Sequence, residues 1–321
     1  MRFTHRTRAR LLVVALSLVL VCSLLGFAEE PEVENRYYQI FDVSQDPGRL
    51  TALFLKLTTR SDDKSGDSTI LTSPDGKVMI IDAGNPTCFA DVDRALKTLG
   101  ITRIDYLVAS HPHVDHIGSF AQLIRTYEVG AVYTSEVVYP TSHYKNYMAA
   151  IEETNTPHII LTDGDSFRFG DQVLVEVLHP TPGVEYYDGY PNSSTQFINN
   201  LSLVMKLTFN KSTFLFVGDL YTDGERSVVE RYGDRLQADI LKVPHHGDGT
   251  SSSKRFREAV QAQVGVMMHE AIADLNVYKK YRREDTIVYI TSIDGSVLVS
   301  TSGDGEYTVI SQYDRTTSFL D

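Results

Sequence analysis

The segment Ser110-His111-Pro112-His113-Val114-Asp115-His116-Ile117-Gly118 puts three imidazoles and a carboxylate within six positions. Imidazole and carboxylate are natural ligands of Zn²⁺ and similar borderline cations. The chain has only two cysteines, Cys22 and Cys88, too few for a sulfur-rich zinc site or an iron–sulfur cluster. His111 and His113 alternate and can point one way, while Asp115 and His116 turn elsewhere, so one loop can serve two cations. The bland alternative is a solvated histidine cluster, and this density of ligands between a strand pattern and a helix pattern argues against it. A second carboxylate, Asp219, follows the apolar run Phe214-Leu-Phe-Val and Gly218. It is placed either to project into a site at a sheet edge or to cap the helix after it. A third element, Leu241-Lys-Val-Pro-His245-His246-Gly247, is again an apolar strand running into imidazoles.

The elements that must position these groups follow from local patterns. Pro74-Asp75-Gly76 is a hairpin turn, and residues 78–82 are a buried strand ending at Ala83-Gly84. Val92, Leu96 and Leu99 have helical spacing, stopped by Gly100. Residues 104–109 are a second buried strand, leading into the His-rich loop. Further strands are expected at 173–178, 201–209, 213–217, 240–243 and 264–268, with helices at 119–127, 144–153, 224–232 and 253–262. Residues 42–48 and 60–67 read as turns, 183–200 as a Tyr-rich loop, and the chain from Thr286 as β-strands. Strand-rich blocks alternate with helices in both halves. This predicts a single α/β domain over residues 37–321, with two packed sheets and helices outside.

The chain has 321 residues with 30 Lys+Arg against 42 Asp+Glu, a net charge of −12, which opposes a broad basic face for gripping nucleic acid. Its first segment reads as an address. Arg2, Arg6, Arg8 and Arg10 precede an apolar stretch over 11–25 and then Gly26-Phe27-Ala28, the pattern of a secretory signal peptide cut after Ala28. An uncleaved membrane anchor is the alternative. Cleavage leaves 26 basic residues against 42 acidic ones, a charge of −16, and leaves Cys88 without an intramolecular partner. The expectation is an exported protein, secreted, periplasmic or on the cell surface, with no stable membrane insertion after cleavage.

Asp82 at a strand end, His111-x-His113-x-Asp115-His116, Gly218-Asp219 and His245 occur in the order of the metallo-β-lactamase superfamily, which the chain resembles over roughly residues 37–310. Four phrases look most like the hydrolase domain of the competence protein ComEC: residues 75–84 (DGKVMIIDAG), 200–204 (NLSLV), 216–220 (FVGDL) and 241–247 (LKVPHHG). The pattern is also similar to secreted phosphorylcholine esterases of this fold. The resemblance implies an αββα sandwich with its site at one edge of the paired sheets. It implies that His111, His113 and a bridging Asp219 hold one cation, and that Asp115, His116, Asp219 and His245 hold the other, with His246 the runner-up to His245. Asp82 is then an orienting group behind the His loop. The implied cofactor is one or two Zn²⁺ ions, or Mn²⁺. The expected reaction is hydrolysis by hydroxide from cation-bound water, with Asp115 orienting it and a cation-bound water or His246 helping the leaving group. The substrate is then a phosphodiester, small or nucleic acid; a β-lactam or carboxylic ester is the alternative, as is a non-catalytic binding protein that keeps a cation for stability.

The sequence departs from the family in one place. Many members carry a further His before the bridging Asp, whereas this chain reads Phe197-Ile-Asn-Asn-Leu-Ser202. Asn199 or Asn200 is expected to occupy that space through an amide oxygen or a water, which puts the dinuclear count in question. Other groups read as structural or surface features: His179 and His269 after strands, Tyr186, Tyr187 and Tyr190 in the loop, the basic run Lys279, Lys280, Arg282 and Arg283, and the sequon at Asn192.

Overall fold

The computed structural model describes residues 36–44, 47–59, 64–183 and 194–314. The signal-like segment, the loop tyrosines 186, 187 and 190 and Asn192 lie outside the described residues. An eight-stranded mixed sheet has the order β15-β14-β1-β2-β3-β4-β5-β6. Its strands are β1 (Leu50–Phe54), β2 (Thr69–Thr72), β3 (Val78–Ile81), β4 (Arg103–Val108), β5 (Glu128–Thr134), β6 (His158–Ile160), β14 (Val297–Thr301) and β15 (Thr308–Ser311). A seven-stranded sheet has the order β13-β12-β11-β10-β9-β8-β7. It comprises β7 (Ser166–Phe169), β8 (Val173–His179), β9 (Val204–Phe209), β10 (Ser212–Phe216), β11 (Ile240–Lys242), β12 (Val264–Met267) and β13 (Ile287–Ile290).

Both sheets are covered on both faces, so their central strands read as unbroken apolar runs. In β3, Met79 and Ile81 face the other sheet while Val78 and Ile80 face helices. In β10, Phe214 and Phe216 point between the sheets, and Leu215 points outward. Phe54 and Phe216 stack across the gap with ring centroids 6.0 Å apart. Outside the first sheet, α1 (Tyr37–Ser44), α2 (Phe89–Thr98), α4 (Phe120–Thr126) and α5 (Ser142–Thr154) bury Ile40, Leu96, Leu123 and Ile151. Outside the second, α7 (Thr222–Tyr232), α8 (Lys254–Val260) and α9 (Leu275–Arg283) bury Val228, Phe256 and Val277. The short helices α3 (Val114–Ile117), α6 (Thr195–Asn199) and α10 (Thr291–Asp294) complete an αββα sandwich, as expected.

Local expectations fail where helix forms in segments read as turn, loop or strand: α6 lies within 183–200 and α10 within the stretch from Thr286. The segment expected to turn at 42–48 is helical through Ser44, because Ile40 and Phe41 find an apolar face to bury. The basic run 279–283 belongs to α9, and Lys280, Arg282 and Arg283 occupy its last turn, where cations favour the helix dipole.

The topology puts the site at one edge. Strands β3 to β6 run parallel to one another, as do β10 to β13. Asp82, the His111 loop, Asp219, His245-His246 and His269 all follow the C-terminal ends of such strands, where loops of open parallel sheets gather.

Candidate metal centre

Asp219 Oδ2 is the centre of the cluster. Four imidazole Nε2 atoms surround it: His246 at 3.2 Å, His116 at 3.3 Å, His245 at 3.7 Å and His111 at 3.8 Å. Gly218, at φ 52°, turns the chain past Ser110 to present this carboxylate, and a Cβ there would sit 3.0 Å from the Ser110 side chain. Asp219 does not cap the helix that follows; that N-cap position is Tyr221.

The imidazoles fall into two groups. His111 Nε2 lies 3.0 Å from His113 Nδ1, and burial keeps both rings below the usual histidine pKa. His245 joins them: burial pulls its pKa to about 4, and its Nδ1 faces the Thr250 hydroxyl at 2.6 Å. His116 and His246 form the second group. Burial would strip their protons, yet Asp219 and a further carboxylate behind each ring raise both pKa values well above 6.5. His116 Nδ1 donates to Asp82 Oδ2 at 2.8 Å. His246 Nδ1 faces Asp67 Oδ1 and the Met268 carbonyl, each at 3.0 Å. Asp115 Oδ2 completes this group 3.6 Å from His246 Nε2.

Left-handed backbone at His245 (φ 46°) and His246 (φ 56°) lets two adjacent residues each direct an imidazole to Asp219. Asp82 is also left-handed (φ 60°) and accepts from Ser110 N at 2.8 Å and Ser110 Oγ at 2.7 Å. Positive φ at non-glycine residues costs on the order of 1–3 kcal/mol each, and three of the eight such residues among those described are in this cluster.

The donors fit a divalent cation. His116 Nε2, His246 Nε2 and Asp219 Oδ1 are buried and make no hydrogen bond. Ligand atoms from Asp67, His116, Asp219 and His246 all lie within 4.8 Å of one another. The Asn199 amide is also buried without a regular hydrogen bond, beside the Tyr221 hydroxyl. Asn200 points elsewhere, its Oδ1 accepting from Gly224 N at 2.9 Å. Every residue named from the sequence as a ligand thus reaches one cluster, and His246 lies nearer its centre than His245.

Asp67 and Lys242 were missed. Asp67 sits in a segment read as a turn, and its only signal is the preceding Gly66 (φ 76°), where a Cβ would fall 1.6 Å from the Asp115 carbonyl oxygen. Burial would raise the Asp67 pKa, but Lys242 and His246 hold it at about 2. A cavity of about 410 Å³ opens onto the cluster, lined among others by Lys64, His113, Asp115, Tyr139, Asn199 and His245. His143 also lines it, although its sequence context gave no hint of a site. His179 is structural: Nε2 donates to the Asn200 carbonyl at 2.7 Å and Nδ1 accepts from Arg231 at 3.1 Å.

Residues 62–185 match the family described as the metallo-beta-lactamase superfamily. The chain is 30% identical over 172 residues to the competence protein ComA of Neisseria gonorrhoeae, a match covering 54% of this chain and 21% of that protein. It therefore corresponds to about a fifth of that relative's length. It is 22% identical over 222 residues to the UPF0173 metal-dependent hydrolase SAR1785 of Staphylococcus aureus (strain MRSA252), covering 61% of this chain and 90% of that one. Among solved structures, the metallo-beta-lactamase fold protein YhfI from Bacillus subtilis aligns with a TM-score of 0.49 at 13% identity, over 79% of this chain and 99% of that one.

Proposed function

We propose that the protein is an exported, divalent-cation-dependent hydrolase that cleaves phosphodiesters, either in nucleic acid or in a small cell-envelope molecule. The observation that carries the reading is the single oxygen, Asp219 Oδ2, with four imidazole nitrogens 3.2–3.8 Å away. His111, His113, His245 and Asp219 would hold one cation. Asp115, His116, His246 and Asp219 would hold the other. In this assignment His245 supplies the imidazole that the Asn199-Asn200 sequence lacks. Zn²⁺ and Mn²⁺ both suit such a donor set.

A cation so placed supplies Lewis acidity, lowering the pKa of water and offsetting charge on phosphoryl oxygens. The chain's own groups do the rest. Asp115 lines the cavity as a carboxylate held well below its usual pKa, chiefly by His246 and His116 against the effect of burial, so it can orient a water by accepting its proton in a hydrogen bond. Lys64 places an ammonium on the cavity wall, where it favours an anionic diester over a neutral ester. Thr250 holds Nδ1 of His245, fixing how that ring faces the cavity. Export rests on the basic, apolar and small-residue pattern of residues 1–28. Among the described residues, no helix is long and apolar enough to cross a membrane.

The test uses protein lacking residues 1–28 with bis-p-nitrophenyl phosphate, p-nitrophenyl phosphorylcholine and nitrocefin. Cleavage of a phosphate diester, abolished by chelator and restored by Zn²⁺ or Mn²⁺, is the expected result. Turnover of nitrocefin alone would move the substrate to β-lactams, and bound cation with all three compounds untouched would overturn the catalytic reading.

A further inference from the structure

Lys242 lies in β11, and its ammonium is buried with no route to water: the residue is 3% exposed. Its polar contacts are with oxygens. Nζ is 2.5 Å from Asp67 Oδ2, 3.5 Å from the Gly218 carbonyl and 4.0 Å from Asp219 Oδ1. The contact with Asp67 is an ion pair rather than a hydrogen bond of regular geometry. Burying such a pair gains little stability over an apolar pair of similar volume, so its presence beside the cation-binding donors calls for another reason.

The other oxygen of Asp67 supplies it. Oδ1 faces His246 Nδ1 at 3.0 Å and accepts its proton in a hydrogen bond, so Nε2, 3.2 Å from Asp219 Oδ2, is the nitrogen left to bind a cation. Asp82 does the same for His116. Carboxylates behind metal-ligating imidazoles fix the tautomer and raise ligand basicity. The two carboxylates differ in one respect. Asp82 is anchored by Ser110, through a backbone N–H and a hydroxyl. Asp67 is anchored by a charge, although its oxygens lie close enough to His116, Asp219 and His246 to join a ligand set.

We propose that the buried Lys242–Asp67 pair is a positioning device: Lys242 withholds Asp67 from the cation and keeps it as the hydrogen-bond acceptor that orients His246. The proposal rests on the reading of the cluster as a divalent-cation site. Lys242 stands in the position a further hard cation would take among these oxygens. It therefore restricts coordination to the donors on the cavity side of Asp219.

The test measures apparent Mn²⁺ and Zn²⁺ affinity by chelator competition, alongside thermal unfolding of the cation-free protein. Asp67→Asn removes the charged acceptor and is expected to weaken affinity by roughly 10- to 100-fold. Lys242→Met frees Asp67 as an added ligand, so affinity rises rather than falls, although the cation-free protein unfolds at lower temperature. The double variant Asp67→Asn/Lys242→Met contains no unpaired buried charge. It is expected to recover thermal stability while keeping the weak affinity of Asp67→Asn, which keeps the test alive if either single variant fails to fold. A pair with only a structural role gives another pattern: both single variants lose affinity in step with stability, and the double variant recovers both. That pattern overturns the proposal. If the unaltered protein binds neither cation, the functional reading fails instead, so the two failures are distinguishable.

Discussion

His245 and His246 are neighbours in sequence, and both bring Nε2 to the same oxygen of Asp219, at 3.7 and 3.2 Å, with their rings 5.6 Å apart. Two consecutive left-handed residues make this possible. The pair differs in what stands behind each ring: a hydroxyl, Thr250, behind His245, and a carboxylate, Asp67, behind His246. That difference in environment is the basis on which the proposed function assigns the two rings to different cations.

His245→Ala and His246→Ala are each expected to lower the cation content of the purified protein by about one ion per chain, because each removes a ligand from a different set. Elemental analysis checks this. Unchanged content in both variants would contradict the two-set assignment.

Asp82 holds His116 from behind and ties the His loop to Ser110. Asp82→Asn is expected to weaken cation affinity by roughly 10- to 100-fold. Ser110→Ala leaves the backbone N–H bond in place and costs about 1 kcal/mol of stability, with a smaller loss of affinity. Chelator competition and denaturant unfolding separate the two effects.

Gly66→Ala places a methyl group 1.6 Å from the Asp115 carbonyl oxygen, at a φ of 76°. The segment must move, breaking the Asp67 N to Asp115 O hydrogen bond of 3.2 Å. A loss of about 3 kcal/mol or more is expected from strain and the lost bond together. Gly76→Ala, with nothing within 4 Å of its Cβ, pays only the strain of its own positive φ and serves as the control in the same unfolding assay.

His179 gives a pH signature away from the cation cluster. Burial, reinforced by Arg231, pulls its pKa from 6.5 to about 4. The folded chain keeps it neutral, so its contribution is complete above pH 6.5. As pH falls from 6.5 towards 4 the unfolded chain takes up the proton first, and stability drops by on the order of 3 kcal/mol in total. His179→Gln, which can still donate to Asn200 and accept from Arg231, is expected to flatten this part of the stability–pH profile. An identical slope in variant and parent would contradict it.

The legible part of the site was the part written in clusters. Three imidazoles and Asp115 in one loop, Asp219 after Gly218, and the paired His245-His246 are dense patterns of uncommon ligands, and the strands that carry them are continuous apolar runs. Asp67 and Lys242 are single charged residues in unremarkable settings, and only the packing of β11 against the loop at 64–68 brings them together. The roles of adjacent histidines were likewise open, because backbone dihedrals at 245 and 246 decide where each ring goes. Helix α1 escaped notice for a related reason: Ile40 and Phe41 signal burial only once a sheet face is there to receive them.

The most direct test of the account is Asp219→Asn, assayed for phosphodiester hydrolysis with saturating Mn²⁺ or Zn²⁺ after circular dichroism confirms its fold. All four imidazoles converge on the oxygen whose charge this change removes. The predicted result is a fall in kcat of about a hundredfold or more, on the order of 3 kcal/mol of transition-state stabilisation, with lowered cation content. A folded variant that retains the parent's cations and its rate would contradict the central role of Asp219.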